Sequence, residues 1–112
     1  MPYLKISINK KIENKKELLD SFTKEIAKAL GKPEKYFMTS LEDNTQIYFQ
    51  GDFQPAAFVE LRSIGLSENK TTELSKKICD MVEEHLNVPK ERVYINFVDI
   101  KNTMWGWNGS TF

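Results

Sequence analysis

Residues 18–33 read LLDSFTKEIAKALGKP, and residues 74–89 read LSKKICDMVEEHLNVP. Set one above the other, these two stretches decide the fold. Leu18, Phe22, Ile26 and Leu30 recur at helical spacing, and Leu74, Ile78, Val82 and Leu86 repeat them 56 positions later. Pro33 and Pro89 obey the same shift, each three residues after the last leucine. A proline there stops a helix, since it lacks the N–H donor and its ring crowds the turn before it. The shift is half of 112, so the chain reads as two copies of one unit, about 1–56 and 57–112. At this length the copies form one domain, residues 1–112.

Strand patterns flank each helix. Leu4, Ile6 and Ile8 alternate with polar residues before the first, and Ala57, Val59 and Leu61 do so before the second, ending at Ser63-Ile64-Gly65. Tyr36 to Leu41 follows the first helix; Val93, Ile95 and Phe97 follow the second. Ile47-Tyr48-Phe49 reads as a further short strand near the middle. Each copy is then β-α-β, and a right-handed crossover makes its two long strands parallel. Two copies give an α+β, two-layer sandwich: a four-stranded mixed sheet with both helices on one face. The other face is left uncovered. The tail adds Met104, Trp105, Trp107 and Phe112, a density of large apolar groups that water does not favour. Face and tail together call for further copies of the chain in a closed homo-oligomer.

Composition excludes several classes. Lys plus Arg equals Asp plus Glu at 16 each, so no basic field argues for nucleic acid. No apolar run approaches the length that spans a membrane. Cys79 is the only cysteine, so no internal disulfide forms, and a reducing, cytoplasmic compartment is the simpler expectation. A eukaryotic source would leave leaderless secretion open. One histidine, His85, and one cysteine make no metal-ligand cluster, and no phosphate-cradling glycine loop is present. No metal or cofactor is expected.

What remains for acid–base chemistry is Pro2, with lysines and tyrosines. Removal of Met1 would expose a secondary amine, which takes a proton where an internal proline nitrogen cannot. A proline that merely starts a strand is the plainer reading of Pro2 alone. Lys32, likewise, is by itself a cation at a helix C-terminus. Tyr94 and Asn96 are ordinary outward residues of a strand, and Trp107 and Phe112 read equally as interfacial packing.

In order along the chain stand Met1-Pro2; Gly31-Lys32-Pro33 with Tyr36; Phe49; Ser63-Ile64-Gly65; Arg92-Val93-Tyr94-Ile95-Asn96; and Gly106-Trp107-Asn108 leading to Ser110-Thr111-Phe112. This set resembles the macrophage migration inhibitory factor family of the tautomerase superfamily, over essentially the whole chain. The resemblance implies a homotrimer whose sheets enclose a central channel. It implies keto–enol tautomerisation of small aromatic α-keto acids such as phenylpyruvate, and of dopachrome-type compounds. Pro2 would be the general base. Lys32 would hold the substrate carboxylate with the backbone N–H of Ile64, and Tyr94 and Asn96 would come from the neighbouring subunit. Tyr36, Phe49, Trp107 and Phe112 would be aromatic walls, with Tyr3 beside the base.

The chemistry is coherent. An α-amino group titrates near 7.7–8.0, roughly, and a base working at neutrality needs a lower value. A nearby Lys32 and an apolar pocket both disfavour the protonated amine. The vertebrate members carry a Cys-x-x-Cys pair where this chain has Ala56-Ala57-Phe58-Val59, so dithiol chemistry is excluded. Met104-Trp105 is bulkier than the resemblance leads one to expect and would narrow the pocket mouth. The alternative is a cytokine-like binding protein acting on a protein receptor, with tautomerisation incidental. Another proline-dependent reaction, a decarboxylation or hydration, is disfavoured because only Arg62 and Arg92 are available.

Overall fold

The computed structural model describes all residues, 1–112. Its main elements are β1 (Tyr3–Ile8), α1 (Lys15–Leu30), β2 (Met38–Glu42), β3 (Ala57–Ile64), α2 (Thr71–Leu86) and β4 (Val93–Ile100). The two helices are related residue for residue by the 56-position shift. Both end on a left-handed residue, Gly31 (φ 69°) and Asn87 (φ 55°), which hold the same place in the two copies. Glycine and asparagine are the residues that take this conformation most readily, so each is a fitting stop. Short 3-10 turns follow at Glu34–Tyr36 and Lys90–Arg92, again in register between the copies.

The strands lie in the order β2-β1-β3-β4. β1 and β3 run antiparallel at the centre, with β2 parallel to β1 and β4 parallel to β3. The expected two-layer α+β architecture is thus the observed one. Leu4, Ile6 and Ile8 of β1 and Val59 and Leu61 of β3 turn to the helices and are fully buried. Phe22 and Ile26 of α1 and Leu74, Ile78 and Val82 of α2 close on them to complete the core. Burying such a side chain contributes about 1.5–3 kcal/mol, so this layer is the fold's principal support. The opposite face carries Tyr3, Lys5, Phe58, Glu60, Arg62, Tyr94 and Asn96, none of them buried.

Two strand expectations need correction. The segment after α1 does not extend from Tyr36: Glu34–Tyr36 is a 3-10 turn started by Pro33, and pairing begins at Met38. Ile47-Tyr48-Phe49 is not a strand. Only an isolated Phe49–Asp52 bridge forms, closed by reciprocal backbone bonds of 3.0 and 3.2 Å. Gln50 and Gly51 between them both have positive φ, the pattern of a two-residue hairpin turn. Ile47 and Tyr48 have no partner strand in their own chain, so their β-propensity goes unused.

The tail folds into a small hairpin, β5 (Gly106–Trp107) and β6 (Ser110–Thr111). Asn108 and Gly109 form its turn at φ 53° and 78°. Asn-Gly is the strongest short-range signal for such a turn, and it was the mark in the sequence from which this hairpin could have been read.

Candidate functional site

Pro2 lies at the head of β1, against the start of β2. Its carbonyl accepts a hydrogen bond from the Met38 N–H at 3.0 Å, and Tyr3 pairs with Met38 in parallel register. This pairing carries the chain's amine end to the segment that leaves α1. That segment is held by the helix stop, where Gly31 N–H bonds Lys28 O at 3.2 Å and Lys32 N–H bonds Ala27 O at 3.0 Å. The following turn then delivers Lys35, Tyr36 and Phe37 beside Pro2. The tail hairpin supplies the remaining wall, tied by Phe112 N–H to Trp105 O at 3.2 Å.

The result is a cavity of about 380 Å³ lined by Met1, Pro2, Tyr3, Lys35, Tyr36, Phe37, Met38, Trp105, Gly106, Trp107 and Phe112. Its aromatic wall is ordered by ring contacts. Trp107 and Phe112 stack at 5.4 Å and 8°, and the edge of Tyr36 meets both, at 5.8 and 6.5 Å. Pro2 is fully buried in the floor. The Tyr3 hydroxyl is engaged with Ser40 Oγ at 2.7 Å.

The electrostatics of this floor disfavour a protonated amine. The amino group at Met1 is held below its ordinary value of 8.0, first by burial and then by the Lys32 cation. Lys32 sits between this group and the end of β3, its Nζ donating to the Ile64 carbonyl at 3.3 Å. Both causes act in the direction a neutral base requires.

The residues named from the sequence therefore fall into three groups. Pro2, Tyr3, Tyr36, Trp107 and Phe112 surround one cavity. Lys32 and Ile64 meet each other but are not in its lining: Lys32 is near enough to the Met1 amino group to act on it, and Ile64 borders a separate hollow with Gly65 and Asp99. Phe49, Tyr94 and Asn96 stand apart from it within the chain. Phe49 packs edge-on against Tyr94 at 4.8 Å, and both border a separate hollow of about 210 Å³. Asn96 lines another groove, with Leu66 of the loop after β3 and Thr71 of α2. Of the bulky pair in the tail, Trp105 forms part of the cavity wall, while Met104 lies outside the lining and is 77% exposed.

Sequence reasoning missed Lys35, Phe37 and Met38 as lining residues. Phe37 and Met38 fall in the segment whose pattern predicts a strand; Met38 does begin β2, Phe37 precedes it, and both also line the cavity. His85 is exposed on α2, edge-on to Phe22 at 6.1 Å, and Cys79 is half-buried with its thiol pushed up by burial. Neither reaches the cavity. No group of histidine, cysteine and carboxylate residues is placed to hold a metal ion, and no helix is long and apolar enough to cross a membrane.

Comparison with known proteins gives a consistent set of similarities. The family model for Macrophage migration inhibitory factor (MIF) matches residues 1–112. A macrophage migration inhibitory factor of Xenopus tropicalis is 40% identical over 96 residues, covering 85% of this chain and 84% of that protein. A homolog from Trichuris trichiura is 39% identical over 114 aligned positions, covering the whole of both chains. Among solved structures, a homologue from Prochlorococcus marinus superposes with a TM-score of 0.94 at 39% identity, covering 98% of each chain. The factor from Trichinella spiralis superposes with a TM-score of 0.91 at 32% identity, covering 98% of this chain and 99% of that one.

Proposed function

The chain belongs to the macrophage migration inhibitory factor family, and from that premise we propose that it is a keto–enol tautomerase of phenylpyruvate-like α-keto acids, with dopachrome-type compounds as further substrates. Pro2 is the general base once Met1 is removed. The observation that carries this reading is the position of Pro2: fully buried in the floor of an apolar, aromatic cavity, next to the Met1 amino group, which burial and Lys32 both hold below its ordinary value.

The proposed reaction is a proton transfer between carbon and oxygen. The neutral Pro2 nitrogen takes a proton from the carbon next to the keto group. The electrons of that C–H bond become the C=C bond, and the carbonyl π pair moves onto oxygen. Passing the proton held by Pro2 to that oxygen gives the enol and regenerates the neutral base, and the reverse sequence restores the ketone. Lys32 grips the substrate carboxylate beside the Ile64 N–H and offsets negative charge on the enolate. Tyr36, Trp107 and Phe112 stack on the substrate ring.

Tyr94 and Asn96 complete the site from a neighbouring copy in a homotrimer. Their distance from Pro2 within one chain, together with their exposure on the uncovered face (63% for Tyr94), supports a contribution across an interface. Phe49, packed on Tyr94, would travel with it as a wall of the neighbour's pocket.

A second reading, action on a protein receptor, draws on the printed names of the vertebrate relatives, which describe inhibition of macrophage migration. Tyr48 and Phe53, in ring contact at 5.1 Å and more than half exposed, offer an apolar contact surface outside the cavity.

The test is Pro2→Gly in protein shown by intact mass to have lost Met1. General-base catalysis contributes about 10²–10⁴-fold. Phenylpyruvate tautomerisation should therefore fall by about a hundredfold or more, with the circular dichroism spectrum unchanged. Wild-type rates in the variant would exclude Pro2 as the base.

A further inference from the structure

We infer that the pocket is built for substrates carrying a second anionic group at the far end of the ring, and that Lys35 is the residue that selects them. This rests on the tautomerase reading above and names the substrate class it serves.

Lys35 is the only charged side chain in the lining of the Pro2 cavity, and no carboxylate faces it there. Seven other lysines of the chain are paired with an acidic side chain within 4.0 Å; Lys35 is not, although Glu34 is its neighbour in sequence. Its Nζ instead lies 5.0 Å from the centroid of the Tyr36 ring. That contact is attractive and keeps the ammonium over the same ring that forms the cavity wall. The residue is exposed while Pro2 is buried, so the cation marks the rim and the base marks the floor.

On the tautomerase reading the site has two cations: Lys32, outside the lining but near the amino group, and Lys35 at the mouth of the aromatic cavity. A monoanion such as phenylpyruvate satisfies Lys32 and leaves Lys35 facing water. An aromatic α-keto acid with a carboxylate on the far ring carbon would place one anion at each lysine and its ring against Tyr36 and Trp107. An exposed charge pair of this kind is worth at most about fivefold, and it is sensitive to salt.

The experiment compares kcat/KM for 4-carboxyphenylpyruvate and phenylpyruvate in wild type, Lys35→Gln and Lys35→Glu. Wild type should favour the dianion by about fivefold at low salt. That ratio should approach one in Lys35→Gln, invert in Lys35→Glu, and shrink in wild type at about 0.5 M salt. A wild-type ratio near one, or a ratio that Lys35→Gln leaves unchanged, would overturn the inference. Binding of both acids, followed by ligand-observed NMR on the same proteins, separates the two claims. Inactivity of wild type on both acids, with a dianion binding preference that Lys35→Gln abolishes, would sink the tautomerase reading and keep this one. Equal binding in wild type and Lys35→Gln would sink this one alone.

Discussion

At the scale of single residues, the proposed chemistry concentrates on the nitrogen that Pro2 would expose and on the charge of Lys32. The Met1 amino group, one residue before that nitrogen, is shifted down, with burial the larger cause and Lys32 the second. A lowered amine pKa means that the unprotonated base is present at lower pH, so the acid limb of the activity profile moves down with it. Replacing Lys32 by Gln removes the second cause and leaves the first. The acid limb of kcat/KM should then move to higher pH, though not as far as that of an exposed α-amine, and KM should rise as the carboxylate loses its partner. A pH–rate profile with an unmoved limb would show that Lys32 does not act on the base. The grouping of Pro2, Tyr36, Trp107 and Phe112 was legible in the sequence through the family resemblance, and the structure gathers them round one cavity. Lys35 was not legible. Beside Glu34 it reads as half of a solvated charge pair, and only the turn after Pro33 shows it on the rim instead.

At the scale of elements, the helices were the most readable part because their apolar stripes and proline exits are local patterns. The loop from Phe49 to Pro55 was the least readable, because it is organised by residues distant in sequence: Asn9, which donates to the Phe53 and Gln54 carbonyls at 3.2 and 2.9 Å, and above all Arg92. Arg92 is a buried arginine whose guanidinium donates to the carbonyls of Phe49, Gln54 and Pro55 at 3.2, 3.0 and 2.8 Å. It also pairs with Asp52 at 2.9 Å and lies 5.3 Å from the Phe49 ring centroid. The Ile47–Phe49 pattern suggested a strand, yet these bonds and the Gln50-Gly51 turn hold the segment as a compact loop. Removing the side chain would leave the Pro55 carbonyl without its donor and Asp52 without its partner, while the Phe49 carbonyl keeps the Asp52 N–H and the Gln54 carbonyl keeps the Asn9 side chain. Arg92→Met should therefore lower stability by about 1–3 kcal/mol. Arg92→Lys should recover little of that, since an ammonium cannot reproduce the planar fork. Denaturant melts measure the loss, and hydrogen exchange at residues 49–55 locates it. Wild-type protection of those amides in Arg92→Met would show that the loop holds itself.

At the scale of the whole molecule, the proposed site is incomplete within a single chain. The sequence foretold the two layers and the bare sheet face, because alternation along a strand assigns every residue a side. It could not place Tyr94 and Asn96 relative to Pro2, since in the proposed trimer that relation lies between chains. In this chain Tyr94 borders a different hollow from Pro2. If the site is shared in a trimer, two defective subunits can mend each other. Pro2→Gly lacks the base but keeps Tyr94; Tyr94→Ala keeps the base but lacks the neighbour's contribution. In trimers reassembled from an equal mixture, a site is whole when a Tyr94→Ala subunit supplies Pro2 and a Pro2→Gly subunit supplies Tyr94. Random assembly gives that arrangement at about a quarter of the sites. The mixture, unfolded and refolded together, should thus regain about a quarter of wild-type activity, well above either parent, while the two proteins refolded apart and then combined should not. Light scattering on the same samples reports the assembly directly. Trimers that show no recovery would place Tyr94 outside the neighbour's pocket, and a monomer with full wild-type activity would remove the need for a shared site altogether.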